Sequence, residues 1–150
     1  MAPRSRFLLR IMSLYPPLAG AGVRVRTLAT APLAFETELR LRWWNRNYVG
    51  TQFGGSLYAM TDPFYMLILI DALGPGFEVW DKAATVRFRR PGRGTVRARF
   101  EIPPARIEEI RREAESAGRA EPVFLARVVD EAGETVTEVE KVVSVRRRAR

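Results

Sequence analysis

The chain contains no histidine and no cysteine. Without cysteine, disulfides, thiol nucleophiles and thiolate metal sites are excluded, and a reducing compartment fits the composition. Without histidine, Ser–His and Cys–His chemistry is impossible and transition-metal sites lose their commonest ligand, so no metal is expected. Hydrolysis assisted by a carboxylate stays open. Lysine is scarce too. Lys82 and Lys141 are the only two, and arginine carries nearly all the positive charge behind a net +8.

Long apolar runs are also missing. The best stretch, residues 58–73, holds Asp62 and falls short of a membrane span. Near the N-terminus, Phe7-Leu-Leu9 is cut by Arg10, too short for the core of a signal peptide. A soluble cytoplasmic protein is expected. With 150 residues and 47% apolar content, one globular domain is expected, its last residues 146–150 a basic tail. The arginine excess would suit a polyanion partner. However, Arg24, Arg26, Arg40, Arg42, Arg97 and Arg99 alternate with apolar residues, as on the solvated faces of strands. No basic–aromatic module of a nucleic-acid binder is present, so nucleic acid is not the expected partner.

Periodicity predicts the elements. Residues 4–14 read as a short amphipathic helix stopped by Pro16 and Pro17, with a turn by residue 20 and on to Gly22. Residues 23–28 and 35–43 read as two strands joined through Ala31-Pro32, with Phe35, Thr37, Leu39, Leu41 and Trp43 on one face. Residues 56–73 read as a buried helix ended by Gly74-Pro-Gly76. Four further strands are expected at 83–90, 95–102, 123–130 and 135–146, with hairpin turns at 91–94 and 131–134. A surface helix at 104–117 turns Ile107, Ile110, Ala114 and Ala117 inward and stops at Gly118. One long helix wrapped by a curved antiparallel sheet of about six strands satisfies this order: an α+β fold.

The phrase Asn47-Tyr-Val-Gly-Thr-Gln-Phe-Gly-Gly55, followed seven residues later by Asp62, carries the chemistry. Gly54 and Gly55 at a helix start can serve close packing, or can aim bare N–H groups at a developing negative charge. Asp62-Pro63 can be an N-cap and N1 pair restarting a broken helix. Asp62 can equally be an acid kept in the most apolar segment for chemistry, sharing a helix face with Tyr58 and with Tyr65 or Met66. Seven residues of helix separate Gly55 from Asp62 by roughly 10 Å. A reacting carbonyl must sit about 3 Å from both its hydrogen-bond donors and its attacking group. Two helices related by a two-fold axis meet that demand, with Gly55 of one copy facing Asp62 of the other. Arg87, Arg89, Arg90 and Arg93 could meet phosphates or line a solvated sheet edge. Of Trp43-Trp44, one indole is expected in the core and one at an interface or pocket wall.

On these residues the chain resembles the hotdog-fold thioesterases. Asn47, Phe53-Gly54-Gly55 and Asp62 match the spacing of Asn, His-Gly-Gly and Asp in the phenylacetyl-CoA type. Tyr15-Pro-Pro-Leu, the Asn47 to Gly55 phrase and Asp62-Pro63 resemble more specifically the DUF4442 family. The resemblance implies a hydrolase of acyl-CoA or of an acyl thioester on an acidic acyl carrier protein. In it Asp62 is base or nucleophile, Gly54 and Gly55 polarise the carbonyl, and Asn47 positions water or substrate. Phe53, Tyr58 and Met66 would line the acyl pocket, and Arg87, Arg89 and Arg90 would hold the phosphates. It further implies a homodimer or dimer of dimers, and no cofactor beyond the coenzyme A moiety of the substrate. The alternative is an acyl-CoA-binding protein of the same fold without catalysis, in which Asp62 caps the helix. Two residues depart from the pattern: Phe53 stands where histidine is common, and Pro63 follows the acid.

Overall fold

A computed structural model describes residues 12–148. Most of the helix expected at 4–14 lies outside them; its end, Met12–Leu14, is a 3₁₀ turn. Helix α1 (Pro16–Ala21) starts on its prolines, whose missing N–H groups would be unpaired there anyway. It ends at Gly22, with φ +86°. A Cβ on Gly22 would lie 2.9 Å from both Asn45 Nδ2 and Trp44 Cη2. Gly22→Ala is therefore expected to cost more than ~1 kcal/mol, from left-handed strain plus overlap, read as a lower urea midpoint.

Strand β1 (Val23–Thr30) pairs with β2 (Leu33–Arg40) in the expected hairpin. Beyond them come α2 (Gly54–Ala59), α3 (Phe64–Leu73), β3 (Phe77–Phe88), β4 (Thr95–Phe100), α4 (Pro104–Ala117), β5 (Arg119–Ala120), β6 (Val123–Val129) and β7 (Thr135–Arg147). All pairings are antiparallel. The sheet runs β1-β2-β4-β6-β7-β3, with short β5 also on β7. The expected turn at 91–94 is therefore not a hairpin. It carries the chain from the β3 edge to β4, between β2 and β6. Gly92 and Gly94 carbonyls accept from Gln52 and Leu41 N–H groups on the way, both at 2.9 Å.

The sheet wraps α3. Phe64, Ile68 and Leu69 are fully buried against Phe35, Leu39, Val96, Phe100, Val139 and Val143. Phe64 sits between Phe35 and Phe100, ring centroids 5.3 and 4.7 Å away. Length and apolar content alone would let residues 54–73 cross a membrane, but half of the most apolar window is buried inside this sheet. Helix α4 lies alongside through Ile107, Ile110 and Ala114; Ala117, expected inward, is exposed in the last turn before Gly118. Arg111 on α4 donates to the Ala72 and Leu73 carbonyls at 2.8 and 3.3 Å, satisfying the C-terminus of α3.

Two irregularities set the positions of the polar side chains against the core. In the first, the central helix is broken over residues 60–63. Pro63 has no N–H for the Ala59 carbonyl, which accepts instead from Asp62 at 3.3 Å. The Met60 carbonyl accepts from Thr37 Oγ1 at 3.0 Å. The second is a bulge in β3, which begins six residues earlier than expected. Asp81 pairs with Val143 and Ala84 with Lys141, so the strand gains one residue on its partner near Lys82. Val79 and Asp81 face the helix before the bulge, and Ala84, Val86 and Phe88 after it.

Candidate functional site

Asp62 does not cap α3. The N-cap position falls on Pro63, with no side-chain capping bond. Instead its Oδ1 accepts from Tyr58 OH at 2.6 Å and from Lys141 Nζ at 2.9 Å. The Tyr58 contact is the i, i+4 neighbour that helical spacing predicts. The lysine is new: it comes from β7, in an inward row with Thr137, Val139, Val143 and Val145, and its side chain is 0% exposed. Lys141 also meets Asp81 Oδ2 at 3.2 Å and Tyr58 OH at 3.4 Å. The ammonium donates hydrogen bonds to Asp62 and Tyr58 and forms an ion pair with Asp81. Asp62 Oδ2 makes no hydrogen bond among the described residues, and nearly half of the Asp62 side chain is exposed.

Burial works against the Asp62 carboxylate, but the hydrogen bonds from Tyr58 and Lys141 and the lysine charge outweigh it, holding its pKa below the ordinary value. At Asp81 burial wins over Lys141, and the neighbouring Asp62 charge adds to it, so that pKa is raised. Burial also opposes the Lys141 charge, but both carboxylates and Tyr58 overcome it and raise its pKa. Asp62 therefore contributes stability above the unfolded carboxylate range, lost as pH falls through its lowered folded value. Asp81 acts in the opposite sense, and Lys141 stabilises up to the alkaline range and is lost as pH rises through its raised value.

The glycine pair lies elsewhere. Gly55 lines an open cleft of about 470 Å³ with Trp44, Arg46, Phe53 and Ser56. Tyr58 and Asp81 line another, of about 450 Å³, with Lys82, Ala84 and Val86. The two clefts share no lining residue. At the start of α2 the Phe53 carbonyl accepts from Ser56 and Leu57, and the Gly54 and Gly55 N–H groups make none of the loop or cap bonds among the described residues. The sides a Cβ would occupy are filled: a Cβ on Gly54 would lie 3.0 Å from Phe88 Cζ, and one on Gly55 2.5 Å from Phe53 Cε1. Both glycines thus admit aromatic packing as well as leaving free donors.

Asn47 uses its amide to close its own loop. Nδ2 donates to Thr51 Oγ1 at 2.9 Å and the Gln52 carbonyl at 3.2 Å, and Oδ1 accepts from Val49 and Thr51 N–H groups. The structure places it as a brace of the loop entering α2. Two residues passed over in the sequence, Asn45 and Gln52, tie that loop to the end of β2: Asn45 donates to the Arg40 carbonyl at 3.0 Å and Gln52 to the Leu39 carbonyl at 3.2 Å. Met66 is half-buried and lines neither cleft, while Phe53 and Tyr58 line different ones. Arg87 pairs in register with Glu138 on the sheet's outer face, a consequence of the bulge. Arg89 Nε donates to Glu138 at 2.8 Å and Arg90 Nη2 to Glu134 at 2.8 Å, so both guanidinium groups already have carboxylates. Neither indole is core: Trp44 walls the glycine cleft and Trp43 is 82% exposed, because β2 ends at Arg40.

The profile of the family described as a domain of unknown function, DUF4442, matches residues 4–145. Among solved structures, a protein of unknown function from Pseudomonas aeruginosa, called a "probable thioesterase", is similar at TM-score 0.84 with 23% identity, covering 96% of both chains. A protein of unknown function from Chlorobaculum tepidum gives TM-score 0.72 with 16% identity, covering 97% of this chain and 95% of that one. A thioesterase from Haemophilus influenzae gives TM-score 0.66 with 14% identity, covering 93% and 88%. No curated protein is significantly similar. The fold is the hotdog fold of thioesterase-like proteins.

Proposed function

Since the chain belongs to the DUF4442 family, a domain of unknown function, we propose its activity from the site: hydrolysis of an acyl thioester of coenzyme A or of an acidic acyl carrier protein. The observation that carries this reading is the Asp62 carboxylate, one oxygen tied back by Tyr58 and Lys141 and the other unbonded on a half-exposed side chain. A carboxylate so held can take a proton from water at the thioester carbonyl, or attack that carbonyl itself. The developing oxyanion would be met by the Gly54 and Gly55 N–H groups. Because the glycine cleft does not include Asp62 or its partners Tyr58, Lys141 and Asp81 in one chain, the complete site is proposed to form between two copies. Strand β3 suits such pairing: it is one of the two edge strands, twelve residues long against eight for β1, with Ala83, Ala84 and Thr85 exposed and no proline. Sedimentation is expected to give a particle of at least twice the 17.0 kDa chain mass; a monomer at working concentration contradicts the shared site. Net charge +8 favours an anionic substrate. Arg46, exposed on the glycine cleft, is better placed for a phosphate than Arg89 or Arg90.

A panel of acyl-CoA thioesters tests the proposal, with turnover expected for at least one and cut at least about a hundredfold by Asp62→Asn. The second reading, acyl-CoA binding without turnover, is favoured by one observation: the Phe53 and Phe88 rings pressed on the two glycines. Saturable coenzyme A binding with no hydrolysis of any thioester would select it.

A further inference from the structure

A lysine costs free energy where Lys141 stands. Its neighbours in the inward row, Thr137, Val139, Val143 and Val145, are all fully buried, and Lys141 itself is 0% exposed. Buried ion pairs seldom stabilise better than apolar residues of the same volume. A merely structural pair would also need one carboxylate, whereas Lys141 holds two, Asp62 at 2.9 Å and Asp81 at 3.2 Å. The second has a cost of its own, since Asp81 Oδ1 is buried without a partner.

The geometry supplies a purpose. The bulge near Lys82 lets β3 turn both Asp81 and then Ala84 to the face of Lys141. Asp81 and Tyr58 OH, on opposite elements, fix the ammonium in place, and the ammonium fixes Oδ1 of Asp62. Lysine suits this better than arginine, the residue the chain otherwise prefers: one compact ammonium meets three oxygens at once, whereas a planar fork of five donors would leave several unpaired here. We infer that Lys141 is the positioning residue of the site, anchored by Asp81, which ties Oδ1 of Asp62 into the sheet and leaves Oδ2 as the free oxygen of a half-exposed side chain. This rests on the reading of Asp62 as the reacting carboxylate.

The charged and titratable groups facing Lys141 are Tyr58 from α2, Asp62 from the helix break and Asp81 from β3. The lowered Asp62 pKa agrees with its being held as the anion by Tyr58 and Lys141 against the cost of burial.

The test uses the full chain with Lys141→Met, and the double variant Lys141→Met/Asp81→Asn. The double variant keeps one net negative charge in the cluster, as in the parent with two carboxylates and one ammonium, and is expected to fold where the single variant, left with two unpaired carboxylates, does not. Two readouts are taken: the Asp62 carboxyl titration by carbon NMR, assigned through Asp62→Asn, and the pH profile of kcat and KM on the best thioester. In the double variant the Asp62 midpoint and the acid limb of kcat are expected to move up together. At neutral pH kcat should fall at least about tenfold with KM within about twofold. A folded double variant with an unmoved Asp62 midpoint and unchanged kcat overturns the inference. If the parent hydrolyses no thioester, the proposed activity fails, and the NMR midpoint alone still decides whether Lys141 holds Asp62.

Discussion

Asp62→Asn is expected to lower kcat/KM on the preferred acyl thioester by about 10²–10⁴-fold, the range for removing a positioned base. The substitution nearly preserves volume, and the amide oxygen can still accept from Tyr58 and Lys141 in the place of Oδ1. What disappears is the anion: the amide has neither a lone pair basic enough for water's proton nor a nucleophilic oxygen. Stability should fall modestly, because the fold holds Asp62 as the anion against the cost of burial and the amide gives that up, while Lys141 keeps Asp81 as its partner. The measurement pairs initial rates with a urea titration on the same sample. Full activity in the variant would remove Asp62 from the mechanism, and joint loss of activity and fold would assign it to structure instead.

Phe64→Ala carries the largest expected loss of stability, about 3–5 kcal/mol, against a total that for such domains is about 5–15 kcal/mol. Phe64 is fully buried between Phe35 and Phe100. Truncation would open a cavity at the first turn of α3, where the sheet closes on the helix. Neighbouring rings cannot collapse into it freely, because Phe100 also packs edge-on against Tyr65, which in turn stacks on Phe124. Equilibrium urea unfolding should show a lower midpoint with an unchanged slope. Leu125→Ala, at a position 44% exposed, serves as a comparison and should stay within ~0.5 kcal/mol. A Phe64→Ala loss as small as that would mean the aromatic layer is not the centre of the core.

What was legible in the sequence was local. The α4 boundaries follow from Pro104 and Gly118, and the β1–β2 hairpin from alternation around Ala31-Pro32. The pairing of Tyr58 with Asp62 follows from helical spacing. The fold class followed because the central stretch is apolar on most sides and its neighbours alternate. Lys141 was missed because its partner Asp62 lies 79 residues away, and no period links the two. A signal existed nonetheless: one of only two lysines occupies the apolar phase of β7, between Val139 and Val143. The broken helix was half-visible in Pro63, but the destination of the Asp62 side chain was not, since a cap and a core acid look alike in sequence. Reading Arg87 and Arg89 as phosphate ligands placed them without knowing the face of β3, and the first half of that strand went unseen for the same reason.

That reason is the extra residue near Lys82. The strand behaves as two rulers joined out of step: odd-numbered side chains mark the inner face before the join, even-numbered ones after it. Excising one residue there would bring the rulers back into step, and either Asp81 would swing away from the lysine or Ala84, Val86 and Phe88 would swing away from the helix. A strand one residue shorter at this point keeps the anchor of the lysine or the apolar face of its second half, not both, so a single inserted residue lets one edge strand serve two ends at once.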